Sequence, residues 1–213
     1  TSERYAELPP ERLDIIKRTL PAHDFPARPV DILEHEKPTL WIVGNDRLHI
    51  VGLFNWDEKN PTTIACDPAR MGLDTTKKYD VFDFWANRYL GTVSGTWNET
   101  LEGAGCRVLA LRETATHPQL LSTSRHITQG LIDVKSESWD PAARILSGTS
   151  AMVEGDPYEL RLVCPDALTP TNISVNENDG TCSGFTREGN LVRVTITPKK
   201  TGAVDWALTF NLK

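Results

Sequence analysis

The run CRVLALRE, residues 106–113, decides the fold. Side chains alternate across a strand with a period of two. Cys106, Val108, Ala110 and Arg112 therefore face one way, and Arg107, Leu109 and Leu111 the other. Both sets are largely apolar, so this strand is predicted to be central, with cover on both faces. Upstream, TLWIV, RLHIVGLFNW, TTIAC, YDVFDFW and LGTVS are short apolar or alternating runs, separated by GNDR, DEKNP and EGAG, the composition of turns between antiparallel strands. Together they predict one all-β unit.

A second series follows: LIDVKSESW, ARILSGTSAMV, YELRLVC, NISVN, CSGFTREGN, LVRVTITP and VDWALTFNL. Tyr158, Leu160, Leu162 and Cys164 alternate with Glu159 and Arg161, and Val192, Val194 and Ile196 with Arg193 and Thr195. Trp206, Leu208 and Phe210 repeat the pattern, so Trp206 is expected in a core, as is Trp85 beside Phe84. About seven short half-buried strands match an immunoglobulin-like sandwich in number and size. The cysteine and tryptophan spacing of antibody domains is absent, so only the architecture is implied. The fold class expected is all-β: two consecutive antiparallel β-sandwich domains, residues 27–124 and 127–213, the second immunoglobulin-like, preceded by a short N-terminal helix. That helix is read from LPPERLDIIKRTLP, where Pro10 opens the first turn, Glu11 suits the positive end of the dipole, and Leu13, Ile16 and Leu20 form a stripe. The stripe comes before any strand and needs a partner, either the first sandwich or another chain.

Composition narrows the function. The 213 residues carry a net charge of −6 from 29 acidic and 23 basic side chains without long blocks of one sign. That leaves no electrostatic footprint for nucleic acid or anionic lipid. Apolar runs are too short for a membrane span. The opening TSERYAELPPERL lacks the basic start and apolar run of a secretion signal, so the chain is expected to be an excised or processed piece. Cys66, Cys106, Cys164 and Cys182 contain no CxxC, which argues against zinc and redox-motif chemistry. Their even number allows two disulfides without requiring them.

Between the two series lies LLSTSRHITQG, residues 120–130. Ser122, Ser124, Arg125, His126 and Gln129 invite reading as a small serine-type hydrolase, but spacing alone supplies neither an oriented base nor an oxyanion hole, and GxSxG is missing. The favoured reading is a joint, in which these side chains satisfy backbone groups where the chain crosses from one sandwich to the next. No catalytic residue, metal or cofactor is expected. The EHE cluster at residues 34–36 and the histidines at 23, 49, 117 and 126 are scattered through unrelated elements. Asp80 and Asp83, interleaved with apolar residues, read as a strand border or a turn. Trp97 and Trp139 sit in polar surroundings, GTWNET and SESWDP, where an exposed ring could stack on a sugar. They are the sugar-binding candidates of a second reading, an autonomous carbohydrate-binding module.

In order, ERLDIIKRTLP, ARPVDILE, HIVGLFNW, YDVFDFW, LG, CRVLALR and HPQLLSTSRHITQG resemble the tail of alpha-galactosidase-like (melibiase-type) glycoside hydrolases, over residues 11–130. WDPAARILSGTSAMVEGDPYELRL resembles the extra β domain of some bacterial members. The resemblance implies an upstream catalytic (β/α)8 barrel on the same polypeptide and makes residues 1–26 a helical remnant of it, Glu11 to Leu20 resembling its last helix. The two catalytic aspartates of that family lie at barrel strand ends, upstream of everything here. The implied function is a non-catalytic C-terminal accessory region supporting the barrel and possible carbohydrate contact, in a periplasmic or secreted parent.

Overall fold

The computed structural model describes residues 7–22, 24 and 26–213; His23 lies outside them. Helix α1, Pro10–Thr19, begins on proline, carries Glu11 in its first turn and has Lys17 and Arg18 in its last. This is the charge order that a helix dipole favours. None of its residues is buried, and Leu20 beyond its end is exposed. Its contacts run to the middle of the chain. The Ile127 amide donates to the Arg18 carbonyl at 2.9 Å, and Arg18 Nη1 lies 3.4 Å from Asp156 Oδ2. The helix thus rests beside residues 127 and 156, and not on the first sandwich as the stripe suggests.

The chain then forms β1 (Arg28–Pro29), β2 (Leu40–Gly44), β3 (His49–Phe54), β4 (Thr62–Cys66), a short helix α2 (Pro68–Met71), β5 (Lys78–Asp83), β6 (Arg88–Ser94), β7 (Trp97–Leu101) and β8 (Cys106–Glu113). Six of these strands make one antiparallel sheet in the order β1-β2-β3-β8-β5-β6, while β4 and β7 pair separately. As predicted, β8 is interior to its sheet, and its two faces enter different cores. Leu109 and Leu111 pack with Leu53, Val81, Ile64 and Cys66 under the β4–β7 ribbon. Val108 and Ala110 pack on the opposite face with Ile50, Phe82 and Phe84.

What covers that second face is the rest of the chain. Strands β9 (Gln119–Thr123), β10 (Val134–Asp140), β11 (Ile145–Met152), β12 (Tyr158–Val163), β13 (Leu168–Val175), β14 (Gly180–Glu188), β15 (Leu191–Pro198) and β16 (Gly202–Leu212) form two four-stranded antiparallel sheets, β14-β15-β12-β9 and β10-β11-β16-β13. Their inner faces enclose a sandwich-like core of Leu120, Leu160, Val194, Trp206, Leu208 and Phe210. The outer face of the β9-containing sheet supplies Leu121, Val163 and Leu191 to the seam with Val108 and Phe82. The molecule is therefore a stack: ribbon, six-stranded sheet, four-stranded sheet, four-stranded sheet. Each fully buried aliphatic or phenyl side chain contributes about 1.5–3 kcal/mol. The seam is thus held mainly by apolar burial, with polar contacts setting its register.

Four sequence expectations change. Strand β9 lies ahead of the boundary drawn at residue 124, yet it hydrogen-bonds to β12 in the later sheet. Asp80 is inside β5 and buried, accepting from the Tyr89 and Thr92 hydroxyls at 2.7 and 2.8 Å, whereas Asp83, also buried, ends the strand and is the border residue expected. Trp206 is buried, but Trp85 is 38% exposed because it lies two residues beyond the end of β5, edge-on to Phe84. Trp97, read in the polar surroundings GTWNET, opens strand β7, WNETL. All four cysteines are free thiols.

Candidate functional site

Strand β9 runs straight into the Ser/Arg/His segment. Ser124 continues its pairing: its amide donates to the Glu159 carbonyl at 3.0 Å and its hydroxyl accepts from the Glu159 amide at 2.8 Å. The chain then turns through Gln129, whose φ of 52° is left-handed, and Gly130 at φ 110°. A glycine adopts such angles without the steric cost a side chain incurs. The Ser122 hydroxyl donates to Gln129 Oε1 at 2.8 Å and accepts from Arg161 Nη1 at 3.2 Å. Gln129 Nε2 donates across the seam to the Val108 carbonyl at 3.1 Å. Arg125 Nη1 donates to the Ala151 carbonyl. His126 is buried, and its Nδ1 accepts from the Thr128 amide at 3.2 Å with the Thr128 hydroxyl 2.9 Å away. The two serines are thus engaged by an amide side chain, a guanidinium and a backbone amide, and Nδ1 of the imidazole by Thr128. A nucleophile awaiting a base would direct its hydroxyl at the imidazole.

Around this segment lies a charged cluster that the sequence reading did not single out. Glu137 of β10, with a side chain 6% exposed, accepts from Arg112 Nη1 at 2.8 and 2.7 Å and from the Leu120 amide at 2.9 Å, with Arg47 Nη1 at 3.4 Å. Arg112 also donates to the Leu120 carbonyl at 2.6 Å and Arg47 to the Gly130 carbonyl at 2.7 Å. Burial pulls the Arg47 guanidinium below its ordinary pKa, and the neighbouring Glu137 charge opposes that pull. A second knot forms at Arg161, whose guanidinium lies 4.7 Å from the Phe82 ring centroid and bonds Glu159 Oε1 at 2.6 Å. Arg193 joins it, reaching Glu159 Oε1 and Asn87 Oδ1 at 2.8 and 2.9 Å. Asp133 accepts from the Thr123 hydroxyl at 2.8 Å and the Tyr158 hydroxyl at 2.6 Å. A signal for the first cluster was present: Arg112 shares the face of Val108 and Ala110, and Glu137 that of Trp139. Charges placed on apolar faces of opposing elements demand each other.

The aromatic candidates are half-buried. Trp97 packs against the ribbon core. Trp139 packs against the sandwich core, with His117 stacked on it at 5.7 Å and Phe210 edge-on at 5.8 Å. A more exposed ring is Trp56, 50% exposed, stacked on Phe54 at 5.5 Å and donating from Nε1 to the Pro38 carbonyl at 2.9 Å. It borders a nearly all-apolar cleft of about 340 Å³ with Trp41, Ile50, Val108 and Ile127. In the EHE cluster Glu34 pairs with Arg70, and His35 lies 3.9 Å from Asp31. Among the described residues no group of three or more His, Cys, Asp or Glu side chains could hold a metal ion, and no helix is long and apolar enough to cross a membrane.

Stacked antiparallel sheets whose polar residues serve one another and the backbone define, among the described residues, an all-β unit. Residues 42–111 match the family described as the alpha galactosidase C-terminal beta sandwich domain. No curated protein matches the chain. Among solved structures, a GH27 β-L-arabinopyranosidase from Geobacillus stearothermophilus is 19% identical, with a TM-score of 0.36 over 43% of this chain and 20% of its own. Alpha-galactosidase I from Mortierella vinacea is 20% identical, with a TM-score of 0.35 over 43% and 24%. Isomalto-dextranase from Arthrobacter globiformis T6, complexed with panose, is 13% identical, with a TM-score of 0.32 over 87% and 37%. The chain spans well under half the length of each.

Proposed function

We propose that this chain is the C-terminal accessory region of an alpha-galactosidase-like glycoside hydrolase, periplasmic or secreted, and that it supports a catalytic (β/α)8 barrel lying upstream on the same polypeptide. The match over residues 42–111 carries the reading. The apolar cleft beside Trp56 supports it, because such surface is costly to leave in water and marks a place where another apolar surface sits. Leu33 at 98% exposure and Ile32 at 56% are further exposed apolar side chains.

Within this reading, residues 27–124 and 127–213 are two sandwich units, with β9 lent to the sheet of the second. Eight antiparallel strands in two four-stranded sheets favour an immunoglobulin-like second unit. Ser122, Ser124, Arg125, His126 and Gln129 form the joint. The bonds from Gln129 to Val108 on one side and from Arg125 to Ala151 on the other support that role.

The test is catalytic. The full reading frame is expected to turn over an aryl α-galactoside or a related aryl glycoside, and this chain alone none. Turnover by the chain alone that disappears on replacing one of its own carboxylates would overturn the proposal.

A further inference from the structure

Helix α1 buries none of its residues, and its Ile15 and the following Leu20 are 50% and 57% exposed, yet it holds one position against the rest of the chain. Two contacts fix it there, and both lie beyond residue 111, where the family match ends. The Arg18 carbonyl accepts from the Ile127 amide at 2.9 Å. The Arg18 guanidinium bridges Asp14 of its own helix at 3.2 Å and Asp156 at 3.4 Å. Asp156 lies in the turn between β11 and β12, and that turn is built to keep its shape. The Asp156 amide donates to the Val153 carbonyl at 3.1 Å, the Gly155 amide to the Pro198 carbonyl at 3.0 Å and the Glu154 amide to the Thr201 hydroxyl at 3.0 Å. Gly155, at φ 71°, takes the left-handed conformation that a side chain would disfavour. Between helix and turn lies a cleft of about 340 Å³, lined by Lys17, Leu20, Arg125, Val153, Glu154 and Asp156.

We infer that the turn at residues 153–156, with Arg125 beside it, is a second holding surface for the upstream barrel, so that the barrel is gripped by both sandwiches and not by the first alone. The inference rests on the proposed function, in which α1 belongs to that barrel: whatever carries α1 must follow it to Ile127 and Asp156. A helix of ten residues is below the roughly 12–15 at which isolated helices become even marginal, so the exposed side of α1 is completed by the body it belongs to. A body that covers Ile15 and Leu20 reaches the cleft and the 37% exposed Val153 as well. Charge favours the same pairing. The last turn of α1 carries Lys17 and Arg18, and the β11–β12 turn supplies Glu154 and Asp156. Ile127 also lines the apolar cleft beside Trp56, so the new surface continues the one already given to the barrel.

The test places a thiol on the turn, Glu154→Cys, and follows its alkylation by N-ethylmaleimide in the isolated chain and in the full-length polypeptide, with peptide mass spectrometry separating it from the exposed Cys106. Labelling is expected to be severalfold slower in the full-length polypeptide. Adding Asp156→Arg, which sets a cation against Arg18, is expected to recover most of the lost rate there. The isolated chain carrying Asp156→Arg is expected to melt as the wild type does, because the backbone bonds of the turn do not use this carboxylate. Equal labelling in the two polypeptides, or slowing that survives Asp156→Arg, would overturn the inference. Labelling of the isolated chain that slows as its concentration rises would also overturn it, by giving the surface to a second copy. The two readings fail differently. Failure of the barrel reading shows as a full-length polypeptide without glycoside turnover, and failure of this inference alone as an active polypeptide whose introduced thiol reacts as fast as in the isolated chain.

Discussion

Replacing Glu137 by Gln probes the seam at its charged centre. The substitution keeps the side chain's shape and removes its charge, leaving Arg112 and Arg47 without a counter-ion in an environment where the Glu137 side chain is 6% exposed. Two of its bonds are well made, that from Arg112 at 2.7 Å and that from the Leu120 amide at 2.9 Å. At about 1.5–3 kcal/mol for each charged hydrogen bond the gross loss is roughly 3–6 kcal/mol. Water reaches the two guanidiniums, whose side chains are 13% and 21% exposed, so the lower end applies. The expected destabilisation is about 3 kcal/mol, the lower end for breaking a buried pair. For a chain of this size that corresponds to a fall in melting temperature of roughly 6–12 °C. Urea unfolding of the wild type, Glu137→Gln, Arg112→Ala and the double variant closes a cycle. A loss under about 0.5 kcal/mol with negligible coupling to Arg112 is the behaviour of a surface ion pair, and would refute the assignment of this cluster to a buried seam.

The other expectations are shorter. Trp206→Ala should cost about 3–5 kcal/mol by emptying the centre of the sandwich core, whereas the half-exposed Trp85→Ala should cost about 1 kcal/mol, its edge contact with Phe84; denaturant midpoints decide both. Burial raises the pKa of Tyr89 to about 12 and that of Tyr158 well above its ordinary value, each beside a carboxylate. A raised folded pKa gives stability that is complete below the unfolded value of about 10 and is lost as pH climbs past it. Stability should therefore fall at alkaline pH, and Tyr158→Phe should flatten that fall. Amides of α1 should exchange far faster than those of β8, since the helix buries no residue and falls short of the roughly 12–15 residues at which isolated helices become even marginal. A fluorophosphonate should label neither Ser122 nor Ser124, and labelling abolished by His126→Ala would restore the hydrolase reading.

The strands were legible because alternation survives wherever one face is wet. All seven runs of the second series are strands, and Tyr158, Leu160 and Leu162 point inward as their pattern requires. Alternation cannot say what lies beyond the outer face. Arg161, on the polar side of the alternation, is 5% exposed because Phe82 of the six-stranded sheet covers it. For the same reason QLLST did not reveal its partner: every residue of β9 is buried, so neither face marks the sheet it joins. Strand β7 was missed for the opposite reason, since WNETL has too few apolar residues to set a phase. Within the Ser/Arg/His segment the residue types were legible, but the bonds that occupy them come from Val108, Ala151 and Arg161, elements distant in sequence.

The most direct test of the account is acrylamide quenching of Trp56, as the difference between wild type and Trp56→Phe, in this chain and in the full-length polypeptide. The account predicts strong quenching in the isolated chain, where the ring is 50% exposed beside the apolar cleft, and a severalfold drop once the upstream barrel covers it. Equal quenching in both would contradict the claim that this region exists to support that barrel.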